Sequence, residues 1–125
     1  MVVKIKTADA EGIVLNWLAA IARYPELRGS TNPTYTAKYL CRFSTDWSTG
    51  GPIIDQEDIT TARGNDLIFP QGNEHGEYSE SLYLAKYPDQ VYWMHGRTRL
   101  EAAMRCFVAR HLGDEVEIPK ELICV

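Results

Sequence analysis

The chain has 125 residues, 45% of them hydrophobic and 24% charged, with a formal net charge of −4. That length suits one domain around one core, and the composition is globular rather than disordered. The acidic balance argues against unspecific binding to nucleic acid or to an anionic membrane, which needs a basic surface, and no apolar run reaches the length of a bilayer span.

In chain order, "VVKIK" predicts a short strand. Thr7 then reads as an N-cap, with Asp9 and Glu11 in a first turn where the helix dipole favours acids. Ala10, Ile13, Val14, Trp17, Leu18 and Ile21 recur at helical spacing, which predicts an amphipathic helix from about Ala8 to Arg23, with Trp17 in the core. "PELRGSTNP" is loop by composition. In "TYTAKYLCRF" the residues Tyr35, Ala37, Tyr39, Cys41 and Phe43 alternate with more polar neighbours, and a period of two predicts a strand.

"FSTDWSTGGPIIDQEDI", Phe43 to Ile59, is the densest stretch. Asp46 or Thr45 caps a helical turn through Trp47, Gly50 and Gly51 break it, and Pro52 opens a second short helix anchored by Ile53, Ile54 and Ile59. Thr60 to Ser81 is polar and weakly patterned, as a variable loop is. "SLYLAKYP" predicts a strand, and "QVYWMH" a strand or an aromatic arm. Thr98 followed by Glu101 is a capping box. Leu100, Ala103, Met104, Phe107, Val108 and Leu112 form one face of the helix it opens, Gly113 ends that helix, and "DEVEIP" runs on extended. The sum is an α+β single domain: two main amphipathic helices packed on a short, mostly antiparallel sheet.

Three segments carry a family resemblance: "VKIKTADAEGIVLNWLAAIA", "FSTDWSTGGPIIDQEDI" and "GRTRLEAAMRCFVARHLGDEVEIPKEL". Their order and separation resemble the phage NinX-like family, small proteins of tailed phages and prophages. Roughly half the chain is covered. Where the family has an acid before the first-helix tryptophan, this chain has Asn16. Where it has Trp-x-Ala, Tyr83-Leu84-Ala85 stands, and where it has prolines around the threonine that opens the last helix, Arg97 and Arg99 stand. The resemblance implies action inside an infected bacterium and brings no catalytic motif with it.

Two site readings compete for the Phe43–Ile59 block. As a binding corner, Ser44, Thr45 and Asp46 offer hydrogen bonds, Trp47 a stacking face, and Gly50 and Gly51 accessible backbone amides. As architecture, Asp46 caps a turn, Trp47 fills the core and the glycines permit a reversal. Trp93, Arg97 and Arg99 form a second candidate set, because arginine beside aromatic rings suits anionic, ring-bearing ligands, here across a homodimer contact. The histidines His75, His95 and His111 show no metal-ligand spacing, and no cofactor is expected. Cys106 lies in mid-helix, away from any thiolate-stabilising N-terminus. No nucleophile elbow is present. Three cysteines with no CxxC suggest reduced, buried thiols in the host cytoplasm, and the N-terminus lacks an export signal core.

These readings predict a non-enzymatic binder that sequesters a small anionic, nucleotide-like ligand, as phage proteins do with host immune signals. The alternative is a module that engages a host protein through acids at Asp55, Glu57, Asp58, Asp114, Glu115 and Glu117. An enzyme acting on nucleotides or nucleic acid ranks third, a homo-oligomer is compatible with the binding readings, and membrane and nucleic-acid partners are not expected.

Overall fold

The computed structural model describes residues 2–29, 32–63 and 83–123. Strand β1 (Val2–Lys6) leads through a 3-10 turn to helix α1 (Gly12–Arg23). A single helical turn, α2 (Pro33–Tyr35), runs straight into a π turn over Thr36–Leu40. Helix α3 (Trp47–Glu57) precedes strands β2 (Thr60–Arg63), β3 (Tyr83–Lys86) and β4 (Met94–Gly96). Helix α4 (Arg99–Leu112) and strand β5 (Glu115–Pro119) follow.

This is a small α+β domain with antiparallel pairing throughout. The sheet is split in two: β1 pairs with β5, from Val2↔Pro119 to Lys6↔Glu115, and β3 sits between β2 and β4. Helix α4 holds the centre. Every residue from Leu100 to Val108 is buried, and the helix packs on α1, α3 and strands β2 to β4. Leu15, Trp17, Leu18 and Ile21 of α1 meet Met104, Phe107 and Val108 in the core, and Val116 and Ile118 close one side. Among the described residues no helix is long and apolar enough to cross a membrane.

Four local expectations need correction. Helix α1 starts at Gly12 rather than Ala8. The Thr7 hydroxyl does not cap it but donates to the Gly113 carbonyl at 2.6 Å, while the Thr7 amide donates to Asp114 O. The Tyr35–Phe43 segment is helical up to Leu40, not a strand. Asn32 accepts the Tyr35 amide, Pro33 occupies the first turn, and the Cys41 amide reaches Thr36 O at 2.8 Å, one residue beyond an α-turn. The alternation misleads because Tyr35 and Tyr39 are both exposed and touch each other one turn apart, with ring centroids at 5.2 Å, while Thr36 and Ala37 take the core. Third, α3 is continuous through Gly50, Gly51 and Pro52. Fourth, the segment read as a loop from Thr60 begins with strand β2, and residues 64–81 of it lie outside the described residues.

The Thr98 hydroxyl accepts the Glu101 amide at 3.0 Å, as a capping box requires. The return half differs, since Glu101 Oε1 accepts the amide of Arg97 at 2.8 Å. Gly113 ends the helix at φ 101° and ψ 177°, outside the left-handed helical well but in a region only glycine enters freely.

Candidate functional site

The Phe43–Ile59 block is organised around Asp46. Its Oδ1 accepts the Ser48 hydroxyl at 2.7 Å and amide at 3.0 Å, and its Oδ2 accepts the Thr49 hydroxyl at 3.3 Å. The Ser48 bonds, side chain first, hold the Asp46 carboxyl below its ordinary range. The Gly50 amide donates to Asp46 O at 2.8 Å, and Gly51 continues the helical ladder. A Cβ on Gly50 would collide with the Phe43 carbonyl and come within 2.9 Å of Leu100 Cδ2, so glycine there allows the helix to lie against the Phe43 backbone. Ser44 is buried, with its hydroxyl and amide both directed to Asn16 Oδ1 at 2.6 and 2.9 Å. Thr45 is exposed, and Trp47, 54% exposed, keeps its indole edge beside Gly51.

The second set diverges. Arg97 bonds Glu101 Oε2 at 2.9 Å and reaches Glu11 at 3.2 Å. Arg99 turns the other way, donating to Thr61 Oγ1 at 2.8 Å and lying over the Tyr83 ring. Trp93 carries the Lys86 ammonium 5.4 Å from its ring and lines a cleft of about 360 Å³ with Tyr92, Met94, Cys106 and Asp114. Ser44, Asp46, Arg97 and Arg99 therefore meet partners within the fold, and the two sets do not converge on one cavity among the described residues.

A different cleft, of about 330 Å³, lies between the end of α1, the Leu40–Phe43 segment and one side of α3. Arg23 and Tyr24 form one wall, Leu40, Cys41 and Phe43 a second, and Ser48, Thr49, Pro52, Ile53 and Gln56 the third. No carboxylate is in that lining among the described residues. By contrast, the Trp93 cleft includes Asp114, and a cleft of about 490 Å³ beside β1 includes Asp9 and Glu11. Arg23 lies over the Tyr24 ring at 5.1 Å and has no ion-pair partner among the described residues. Sequence reading passed over this place because Arg23 looks like an ordinary last-turn cation and Tyr24 like the start of a linker. The adjacency of arginine and tyrosine at a helix end was the one local signal.

A separate, smaller cavity of about 230 Å³ shares Arg23, Ile53 and Gln56 with that lining and is otherwise bounded by Ala22, Glu57, Phe107 and His111. Glu57 Oε1 accepts the Tyr87 hydroxyl at 2.8 Å and meets His111 Nε2 at 2.9 Å. Burial works against the Glu57 carboxylate, but the His111 and Tyr87 bonds and the charges of His111 and Arg110 outweigh it and hold the group below its usual range. Burial, then the Glu57 bond, pushes the Tyr87 phenol upward. Burial also raises both thiols, Cys106 to about 11. Cys124 lies outside the described residues. No group of three or more metal-ligating side chains occurs among the described residues.

Comparison with curated proteins gives no match. A family model described as "Bacteriophage P22, NinX" matches residues 6–111, a span that includes α1, the whole Phe43–Ile59 block, the residues lining the Arg23 cleft and nearly all of α4. By that match the chain belongs to the NinX family of bacteriophage P22.

Proposed function

We propose that this phage protein is a non-enzymatic accessory factor that binds and holds a small anionic, nucleotide-like ligand in the Arg23 cleft. The observation that supports the reading is an arginine that has no carboxylate partner among the described residues, next to a tyrosine ring, in a cavity wall whose described lining contains no acid. In a chain of net charge −4, such a wall is where a phosphate meets least repulsion. A guanidinium grips phosphate through two parallel bonds, and the Tyr24 face offers a ring a place to stack. The Ser48 and Thr49 hydroxyls already donate to Asp46, so Arg23 and the Gln56 amide are the donors for a guest. Binding without conversion is favoured because Cys41, the one thiol in the wall among the described residues, is held protonated by burial and has no base beside it in the described lining. In an infected bacterium, such a protein would keep a host signalling nucleotide from its receptor.

Calorimetry with mononucleotides and cyclic dinucleotides tests this. Saturable binding is expected, with a loss of about 10- to 100-fold in affinity for Arg23→Ala, the effect of one charge-assisted contact. Absence of heat and of any melting shift across the panel would remove the reading.

A second reading rests on a separate observation. Val91 and Tyr92, between β3 and β4, are 80% and 87% exposed. Adjacent, outward apolar residues of this kind suit an anchor for a host protein or a second copy of the chain. A Val91→Ser, Tyr92→Ser variant would then lose that partner while leaving nucleotide binding intact.

A further inference from the structure

Strand β1 has β5 as its neighbour on one side, and its other edge pairs with no strand among the described residues. The Thr7 amide donates to Asp114 O, a pair that continues the β1–β5 register by one step. Hydrogen-bonded and open pairs alternate along an antiparallel ladder. Val3 and Ile5 therefore bond β5, and the backbone groups of Val2, Lys4 and Lys6 turn to the free edge. Pro119 agrees with this phase, because opposite Val2 its missing N–H removes no rung. Among the described residues an open cleft lies along that edge: Lys4, Ile5 and Lys6 line the volume of about 490 Å³, with Val14, Ile118 and Ile123 among its apolar groups. No backbone group of the described residues outside the ladder bonds the Lys4 amide, the Lys4 carbonyl or the Lys6 amide.

We propose that this edge is a docking site for an extended, acidic segment of a partner protein, which adds as a third strand beside β1. An unpaired strand edge takes up such a segment through its backbone donors and acceptors, and side chains decide which segment fits. The existing ladder shows what suits β1. Glu117 and Glu115 stand opposite Lys4 and Lys6, and Ile118 and Val116 stand opposite Val3 and Ile5. Both lysines are exposed, and neither closes an ion pair with a described residue. A strand of the same alternation on the open side brings acids to the lysines and apolar side chains to Ile5, Val14 and Ile123. Turned over, it would set its acids against those apolar groups and against Asp9 and Glu11, which line the same cleft. A second copy of β1 is a poor occupant, because antiparallel pairing at full overlap places Lys4 directly against Lys4 of the other copy.

The test is NMR titration of the intact protein with a synthetic peptide of residues 114–119, DEVEIP, followed by amide hydrogen exchange at saturating peptide. In the free protein the Lys4 and Lys6 amides should exchange fast and those of Val3 and Ile5 slowly. The peptide should slow exchange at Lys4 and Lys6 by at least about 10-fold and leave Val3 and Ile5 unchanged. Lysine in place of both peptide glutamates should weaken binding by about 10-fold or more. The double variant Lys4→Glu, Lys6→Glu should reverse that preference, and the two peptides compared on the unaltered protein keep the test decisive if this variant does not fold. No shift at Lys4 and Lys6 with millimolar peptide overturns the proposal, as does equal binding of the lysine peptide. Loss of protection at Val3 and Ile5 would mean that the peptide displaces β5 instead of adding to β1, and slow exchange at Lys4 and Lys6 before any peptide is added would mean that the edge is already covered. Either result also overturns it.

Discussion

Asn16 and Ser44 are joined twice: the Asn16 Oδ1 accepts both the Ser44 amide and the Ser44 hydroxyl, and all of these atoms are buried. The same Asn16 side chain donates through Nδ2 to Ala37 O at 2.9 Å. One amide thus fixes α1 to the π turn and to the entry of α3, the three pieces that wall the Arg23 cleft. Asn16→Ala would leave two buried donors, the Ser44 amide and hydroxyl, and one buried acceptor, the Ala37 carbonyl, without their partner. A loss of about 2–4 kcal/mol is expected, read from denaturant unfolding, together with weakened nucleotide binding.

Gly50 and Gly51 should respond oppositely to alanine. At Gly50 the new methyl group meets the Phe43 carbonyl and Leu100, neither free to move far, so a cost of about 2–4 kcal/mol is expected despite the better helix propensity. At Gly51 the nearest atom is Trp47 Cε3 at 3.3 Å, on a half-exposed side chain that can give way. There the gain in propensity should dominate, by up to about 1 kcal/mol. Thermal melts of the two variants check this. Equal effects would mean that the helix does not lie against Phe43 as described.

Glu101 contributes to the acid limb of stability. Burial opposes its ionisation, but side-chain and backbone bonds from Arg97 and the charge of Arg105 outweigh that and lower its pKa from 4.5. A carboxyl lowered on folding stabilises the protein fully above its ordinary pKa and loses that contribution as pH falls through the folded value. Stability should therefore begin to decline as pH falls through the ordinary carboxylate range and keep falling until the lowered folded-state value has been passed. Glu101→Gln should cost about 1–3 kcal/mol at neutral pH and flatten this limb, as denaturant midpoints measured against pH would show.

Cys41 lies in the cleft lining, and Cys106 is buried against Tyr87 and Gln90. Alkylation near pH 9 should label Cys41 well before Cys106, whose pKa is pushed up to about 11. A nucleotide in the cleft should slow labelling of Cys41 and leave Cys106 unchanged, as peptide mass spectrometry would record. Unchanged Cys41 labelling at saturating nucleotide would place the ligand elsewhere.

The helices with strong local signals were legible in the sequence. Thr98 and Glu101 marked the start of α4, and the spacing of Trp17, Leu18 and Ile21 marked α1. The helical turn over Pro33–Leu40 was not, because an aromatic at every second position reads as a strand unless the Asn32-Pro33 start is weighed more heavily. Continuity of α3 through Gly50, Gly51 and Pro52 was hidden because three poor helix formers are tolerated there by packing on Phe43 and Leu100. The division into two sheets depends on pairing between residues more than a hundred positions apart, which local pattern does not encode. The cleft is assembled from residues 23–24, 40–43 and 48–56, so no single stretch advertised it.

The ladder between β1 and β5 has a mechanical consequence. Val2 faces Pro119 and Lys6 faces Glu115, so the outer end of each strand begins the same row of rungs. Tension applied at these two outer ends parts the rungs singly, as a zipper opens, instead of loading them all at once. A host unfoldase that seizes either strand from outside would thus meet its weakest resistance first, and removing this clasp exposes Ile118 and the floor of the core to whatever follows.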